Sequence, residues 1–228
     1  MDKYEILSDE YQNHDLSFKV IVIGNSGVGK SCLAIKATKN IFEHNYFATV
    51  GFEFFSFNVR FNNDKVIKLQ IWDTCGQDIY RSLISNFYRN SMLAIIVYAI
   101  DDQKSFDEID SWLKDLKEHS SPEIKVILIG NKCDLENFRK VPKEKGEQLK
   151  EDYGLEMFFE TSAKLGTNIE ELFVKAAKML YEEYLKLESK NKKKEINKGV
   201  KLNKNKSNNK DDNGEQKDKK DKKEKGCC

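Results

Sequence analysis

Residues 24–31 read GNSGVGKS, and the organisation expected for the whole chain follows from this segment. It has the spacing of a phosphate-binding loop, and it stands directly after an apolar run and before a helical stretch. In such a loop the backbone N–H groups point inward around phosphate oxygens, the Lys30 ammonium reaches the β- and γ-phosphates, and the Ser31 hydroxyl binds Mg²⁺. A glycine turn that merely caps a helix is the alternative, and the strand–loop–helix context disfavours it. The segment therefore predicts a site for a nucleoside triphosphate.

Short apolar runs bounded by Gly or polar residues occur on both sides of this loop, and they indicate buried strands. Residues 105–119 and 167–187 place apolar side chains on one face and predict helices. The first of these begins with Ser105 and Glu108 in the spacing of a capping box. The apolar runs are FKVIVIG (18–24), IKLQIWD (67–73), MLAIIVYAI (92–100), KVILIG (125–130) and MFFE (157–160).

Residues 51–72 interrupt the alternation of strand and helix. They contain two apolar strands joined by the turn-forming NNDK, which predicts a hairpin. Alternating strands and helices elsewhere predict a parallel sheet with helices on both faces and ligands at the carboxyl ends of the strands. We therefore expect an α/β fold of the P-loop NTPase class, with a mostly parallel six-stranded sheet that has one antiparallel edge strand.

Charge is distributed unevenly along the 228 residues, although the net charge is only +1. Residues 186–228 contain 16 Lys against eight Asp or Glu, so the rest of the chain is acidic. An acidic domain with a basic tail argues against nucleic-acid binding and favours a tail that meets an anionic surface. We expect a flexible acidic extension at 1–17, a folded domain at 18–187 and a disordered Lys-rich tail at 188–228.

The cysteines and the apolar segments indicate a protein of the cytosol. Five cysteines are scattered along the chain without metal-ligand spacing, so a disulfide framework is not expected. The acidic start lacks the basic and apolar regions of a signal peptide. No run reaches the roughly 18 apolar residues that a spanning helix requires.

The segment NKCD at 131–134 points to the base of the nucleotide. It follows the apolar run KVILIG, so we expect it on the same rim of the sheet as the phosphate loop. The Asp134 carboxylate can accept two hydrogen bonds from the N1–H and the exocyclic amine of guanine, whereas adenine offers no such pair of donors. Taken alone, NKCD is typical of a solvated turn. Together with the phosphate loop and ETSAK at 160–164, it predicts guanine binding.

The segment WDTCGQ at 72–77 ends the second strand of the predicted hairpin. Asp73 would hold Mg²⁺ through water, and the Gly76 N–H would reach the γ-phosphate. Gln77 would orient the water that attacks this phosphate. The segment therefore predicts hydrolysis of the nucleotide.

In their order along the chain, the segments GNSGVGKS, WDTCGQ, NKCD and ETSAK resemble those of small GTPases of the Ras superfamily, and specifically of the Rab family, over about residues 16–185. The resemblance to Rab proteins rests on the stretches VGFEF, KLQIWDTCGQD, YRSL, FYRNS and IVYAID. It implies a small G domain and a monomer that hydrolyses GTP to GDP and phosphate. It also implies a molecular switch that recruits effectors to membranes in vesicle-mediated transport. The alternatives are a GTP-binding module with lost or negligible hydrolysis and an ATP-using nucleoside kinase.

The resemblance also implies roles for individual residues. Thr49 is assigned to Mg²⁺ and the γ-phosphate, Tyr46 to the neighbourhood of that phosphate and Phe42 to stacking on the guanine. The catalytic set is then Gln77, Lys30, Thr49 and Gly76, and the Mg²⁺ ligands are Ser31, Thr49 and Asp73. The remaining nucleotide-binding residues are Gly24, Asn25, Ser26, Gly27, Val28, Gly29, Cys32, Asn131, Lys132, Asp134, Ser162, Ala163 and Lys164.

The resemblance further implies protein partners. Rab effectors read three aromatic side chains, which match Phe54, Trp72 and Phe87; ordinary core aromatics are the alternative. No Arg occurs between Ser31 and Thr49, so we expect slow intrinsic hydrolysis that depends on a GTPase-activating protein. The resemblance implies that this activating protein supplies both an Arg and a Gln side chain in trans. A guanine nucleotide exchange factor, a prenylation escort and a GDP-dissociation inhibitor complete the expected set.

The chain departs from the Rab pattern at a few positions. Cys75 stands where Ala is usual, Asp78 and Ile79 stand where Glu-Arg is usual, and Ala99 stands where Asp is common. Cys75 lies between the predicted Mg²⁺ ligand and the predicted catalytic Gln. A small residue tolerated at this place is one interpretation, and a redox-sensing switch is the other.

The chain ends on two adjacent cysteines, Cys227 and Cys228, after a lysine-rich run. With the resemblance to Rab proteins, this ending looks like a substrate for double geranylgeranylation. One lipid chain binds a bilayer marginally, whereas two give stable anchoring. We expect the protein in the cytosol and, lipid-anchored, on the cytoplasmic face of intracellular membranes.

Overall fold

The computed structural model describes residues 3–42, 49–62, 64–76 and 87–204. The chain divides into two units, Met1–Tyr184 and Leu185–Cys228, and the sheet belongs to the first.

The described residues form one seven-stranded sheet with the order β1-β3-β4-β2-β5-β6-β7. β2 pairs in parallel with β4 and β5, and β5–β6 and β6–β7 are also parallel, whereas β1–β3 and β3–β4 are antiparallel. In chain order the strands are β1 (Tyr4–Leu7), β2 (Leu16–Ile23), β3 (Phe52–Phe61), β4 (Val66–Thr74), β5 (Leu93–Ala99), β6 (Lys125–Asn131) and β7 (Met157–Thr161).

Helices connect the parallel strands, as the alternation in the sequence predicted. A 3₁₀ segment, Cys133–Phe138, follows β6. The helices of the described residues are α1 (Lys30–Lys39), α2 (Gln103–Asp107), α3 (Ile109–His119), α4 (Lys143–Asp152) and α5 (Ile169–Lys204).

Alternate side chains of the central strand β2 face opposite sides of the sheet. Val20 and Val22 belong to a core that includes apolar residues of α1 and α5. Ile21 and Ile23 belong to a second core that includes α3. Because both faces are covered, β2 is a continuous apolar run, and the loop that follows it lies at the carboxyl rim of the sheet.

The predicted six strands with one antiparallel edge strand are corrected to seven strands. The added strand β1 lies within the stretch 1–17 that was predicted as a flexible extension, and it pairs with Asn58–Phe61 of β3. Side chains hold it there: the Asn58 amide donates to the Ser8 carbonyl at 2.7 Å, and Arg60 pairs with Glu5 at 2.6 Å. The hairpin β3–β4 itself is confirmed.

The predicted capping box at Ser105 and Glu108 is wrong. Helix α2 begins at Gln103, and the Asp102 carboxylate caps it by accepting the Lys104 N–H at 3.1 Å. Since the helix starts two residues early, Ser105 lies inside its first turn and its hydroxyl donates to the Asp102 carbonyl at 2.7 Å.

Helix α5 continues to Lys204, whereas the sequence predicted a disordered tail from residue 188. Lys and Glu favour helices even without burial, which is consistent with this extension. The boundary of the tail stays a prediction, and residues 205–228 lie outside the described part of the chain. None of the described helices is both long and apolar enough to cross a bilayer.

A substitution at Gly146 tests the packing of α4 against the sheet, where Gly146 lies close to Phe158 of β7 and Tyr98 of β5. A Cβ at this position would lie 2.4 Å from the Phe158 ring and 2.8 Å from the Tyr98 hydroxyl. We expect Gly146→Ala to lower the free energy of unfolding by about 1–3 kcal/mol through overpacking, although Ala usually favours a helix by up to about 1 kcal/mol. Urea denaturation measures the change. Lys145→Ala, at an exposed position of the same helix, should stay within about 0.5 kcal/mol of wild type, and equal stability of both variants would contradict this packing.

Candidate nucleotide-binding site

The loop between β2 and α1 has a backbone that requires glycine at two points. Gly24 has φ +136°, and a Cβ there would lie 2.1 Å from the Val97 carbonyl oxygen. Gly29 has φ +95°, and a Cβ there would lie 2.4 Å from the Asn131 amide nitrogen. Side chains are therefore excluded where the loop passes β5 and β6, and its shape follows from these close approaches.

Lys30 is the buried cation of this loop. It is only 5% exposed, and its ammonium donates to the carbonyl oxygens of Gly24 and Asn25, both at 2.8 Å. Burial lowers the pKa of Lys30 to about 8, and the nearby Asp73 carboxylate opposes this shift. An anion bound beside the ammonium would favour its charged form, as a phosphate group would.

Three oxygen-bearing side chains meet next to Lys30. The Ser31 hydroxyl donates to the Asp73 carboxylate and lies 2.6 Å from the Thr49 hydroxyl. Burial raises the pKa of Asp73 to about 6, against the hydrogen bond from Ser31. The second carboxylate oxygen of Asp73 is buried and has no hydrogen-bond partner among the described residues. A hard divalent cation prefers such oxygen ligands, so this group fits Mg²⁺.

Gly76 lies directly against the loop. A Cβ there would be 2.4 Å from the Asn25 carbonyl carbon, 2.4 Å from the Lys30 ammonium and 2.5 Å from the Ser26 nitrogen. Glycine thus lets the chain after β4 approach the loop where a terminal phosphate was expected. The neighbouring Cys75 is 2% exposed, and its N–H donates to the Gly51 carbonyl at 2.9 Å.

The NKCD segment joins the loop to the end of β7 through side-chain hydrogen bonds. The Asn131 amide donates to the Val28 carbonyl at 2.8 Å and accepts from the Thr161 hydroxyl at 3.1 Å. The Asp134 carboxylate accepts from the Ser162 hydroxyl at 2.6 Å. One carboxylate oxygen of Asp134 is thereby oriented by the SAK segment, as a reader of guanine would need to be.

Several of these residues line two adjoining cavities of about 250 and 330 Å³. Gly27, Gly29 and Cys32 border both, so the cavities meet at the loop. The first is lined by Ser26, Gly27, Gly29, Lys30, Ser31, Cys32, Thr49, Thr74, Cys75 and Gly76. The second is lined by Gly27, Gly29, Cys32, Phe42, Asn131, Lys132, Asp134, Leu135, Ala163 and Lys164.

The three aromatics Phe54, Trp72 and Phe87 lie together. Ring centroids are 5.3 Å apart for Phe54–Trp72 and 5.6 Å apart for Trp72–Phe87. Phe52, which the sequence analysis did not single out, joins them at 4.5 Å from Phe87, and Phe52 and Phe54 are about half exposed. Its position two residues before Phe54 in a strand is the signal that could have found it, because such residues share a face. The Lys19 ammonium lies 5.4 Å from the Trp72 ring centre.

Several predicted residues lie outside the described part of the chain. They are Tyr46, Gln77, Cys227 and Cys228. Of the other predicted residues, the structure brings most to the two cavities or to the hydrogen bonds that border them. Their individual roles stay predictions.

Sequence comparisons relate the chain to known proteins. The sequence pattern of the Ras family matches residues 19–182. The Ras-related protein Rab-8B of Pongo abelii is 42% identical over 167 residues, which are 73% of this chain and 80% of that protein. Rab-8A of Bos taurus is 38% identical over 191 residues, 84% of this chain and 91% of that protein. Rab-13 of Canis lupus familiaris is 44% identical over 165 residues, 72% of this chain and 80% of that protein.

Asp134 tests the recognition of the base. We expect Asp134→Asn to weaken GDP binding at least about 100-fold, because the amide cannot accept two hydrogen bonds from guanine. Xanthosine diphosphate should gain affinity, since xanthine carries a carbonyl where guanine carries the amine. Displacement of a fluorescent GDP analogue measures both. Glu136→Gln, on the same 3₁₀ segment, removes an exposed carboxylate that pairs with Arg139 and should leave both affinities unchanged. An Asn variant that still prefers GDP would contradict the role of Asp134.

Proposed function

The chain belongs to the Rab branch of the Ras family and is a small GTPase that binds GTP and GDP, and from this premise we propose that the two adjoining cavities are its nucleotide site. The observation that carries the proposal is the junction of the cavities at Gly27 and Gly29. It puts the buried Lys30 ammonium on one side and the Asp134 carboxylate on the other. A phosphate chain and a guanine base need this pair of environments within one molecule's length.

Hydrolysis requires stabilised charge on the phosphates and an aligned water. Lys30 and the loop N–H groups supply positive charge beside the β- and γ-phosphates, and Ser31, Thr49 and Asp73 would hold Mg²⁺, which neutralises phosphate charge when it is bound. Gln77 orients the attacking water. The Rab relatives favour this reading over a binding module that has lost hydrolysis.

The γ-phosphate also controls the surface of the protein. Thr49 and Gly76 contact it in the GTP state and release it after hydrolysis. Both residues stand next to the β3–β4 hairpin, whose outer surface carries Phe54 and Trp72. Effectors would read this surface together with Phe87. Exchange factors and GTPase-activating proteins set the state of the switch, and the output is transport between intracellular membranes.

A hydrolysis assay tests the proposed reaction. Gln77→Leu keeps bulk but cannot orient water, so we expect single-turnover hydrolysis of bound GTP to slow at least about tenfold while GDP affinity is unchanged. Gln103→Leu, on α2, serves as the matched control and should hydrolyse GTP as wild type does. Unchanged hydrolysis in the Gln77 variant would count against its role. Displacement of labelled GTP by ATP as efficiently as by GDP would overturn the whole proposal.

The tail anchors the domain to membranes in this proposal. Two prenyl chains on Cys227 and Cys228 give stable binding, and the preceding lysines add at most about 1 kcal/mol each near an anionic leaflet. The escort protein delivers the chain for prenylation, and the GDP-dissociation inhibitor removes it from the membrane. The protein would then cycle between the cytosol and the cytoplasmic face of an intracellular membrane.

Fractionation of cells tests the anchor. The double variant Cys227→Ser/Cys228→Ser should move from the membrane fraction to the soluble fraction, whereas a single Ser variant should be held weakly because one chain binds marginally. Ser207→Ala, which changes a residue of the predicted tail and leaves both terminal thiols in place, is the control. Mass spectrometry that finds both terminal thiols unmodified in wild-type protein would refute the lipid anchor and leave the GTPase intact.

A further inference from the structure

The side chain of Asn25, the second residue of the phosphate loop, is held by the start of α3. Its amide oxygen accepts a hydrogen bond from the Trp112 indole N–H at 2.9 Å. Its amide nitrogen donates to the Glu108 carboxylate at 2.9 Å. Trp112 is 1% exposed, so the contact on that side is buried. The loop is thus tied to residues 83 and 87 positions later in the chain.

The chemistry of the two partners requires an amide between them. An indole N–H can only donate, and a carboxylate can only accept. The Asn25 side chain offers a carbonyl oxygen as acceptor and an NH₂ group as donor, so its two partners determine which way the amide is turned. Asp at this position would keep the bond to Trp112 but would turn a second carboxylate towards Glu108.

The main chain of Asn25 touches the groups expected at the γ-phosphate. Its carbonyl oxygen accepts from the Lys30 ammonium at 2.8 Å. Gly76 packs so closely that a Cβ there would lie 2.4 Å from the Asn25 carbonyl carbon and 2.5 Å from the Ser26 nitrogen. A shift of Asn25 would therefore move both the Lys30 ammonium and the surface on which Gly76 rests.

We propose that Asn25, Trp112 and Glu108 form a positioning unit that holds the phosphate loop in its nucleotide-binding shape from the α3 side. The unit slows the release of nucleotide because the phosphate loop cannot change its conformation while both side-chain hydrogen bonds of Asn25 are formed. The inference rests on the nucleotide site proposed above. It gives Glu108, which the sequence assigned to a capping box, a role at the loop instead.

Replacing the hydrogen-bond donor of Asn25 by an acceptor tests the positioning unit. Asn25→Asp places two carboxylates together, and we expect the dissociation rate of a fluorescent GDP analogue to rise at least about tenfold. Adding Glu108→Gln restores a donor opposite the new carboxylate, so the double variant should return to within about threefold of wild type. A purely structural defect would not be rescued by this second change. Stopped-flow dissociation with excess unlabelled GDP gives the rates, and thermal unfolding gives stability alongside.

The matched control creates the same carboxylate pair elsewhere. The Gln148 amide donates to the Asp152 carboxylate at 2.7 Å in α4, so Gln148→Glu should leave the dissociation rate unchanged. If Asn25→Asp does not fold, Trp112→Phe replaces it, since it keeps the ring and removes the N–H; its dissociation rate should rise about threefold or more. A wild-type rate in the Asn25 or Trp112 variant, or a double variant no slower than Asn25→Asp, would overturn the positioning unit. Wild-type protein that retains no GDP analogue would overturn the proposed site itself, and the unit with it.

Discussion

The burial of one positive charge is the constraint on which the site depends. Removing an ammonium from water is costly unless it is paired and hydrogen-bonded. The chain meets this cost at Lys30 with two loop carbonyls and with the nearby Asp73 carboxylate. The carbonyls can turn inward because the loop is built on glycines at close approaches to β5 and β6. A bound anion would stabilise the charged form of this ammonium further.

The oxygen cluster and the aromatic surface share one strand. Asp73 and Trp72 are consecutive residues of β4, so their side chains face opposite sides of the sheet. The first contacts Ser31 and lies near Thr49, and the second packs against Phe54 and Phe87. A movement of Asp73 would therefore be passed directly to its neighbour Trp72, which belongs to the aromatic surface proposed for partners. In the proposed switch, the same hairpin would border both the nucleotide and the surface that effectors read.

The sequence predicted the buried strands correctly. The strands β2, β5 and β6 are continuous apolar runs because both faces are covered, and such runs are recognisable without a structure. The strand β1 was missed because its four residues, YEIL, lie on the sheet edge and carry no such run. The Ser105–Glu108 spacing was misread because Asp102, three positions before the predicted helix began, competes for the cap. Phe52 was overlooked although the period of two in β3 would have placed it beside Phe54.

By itself the sequence determined the phosphate loop, the NKCD and SAK segments and the succession of strands from β2 onward. These depend on residue types at fixed short spacings, where backbone geometry leaves few options. The tertiary structure alone decided which distant side chains complete them: Ser162 on Asp134, Thr161 on Asn131, and Trp112 with Glu108 on Asn25. Such hydrogen bonds join segments tens of residues apart and follow no periodicity. They exist only once the parallel strands bring their carboxyl ends to one rim and α3 packs beneath the loop.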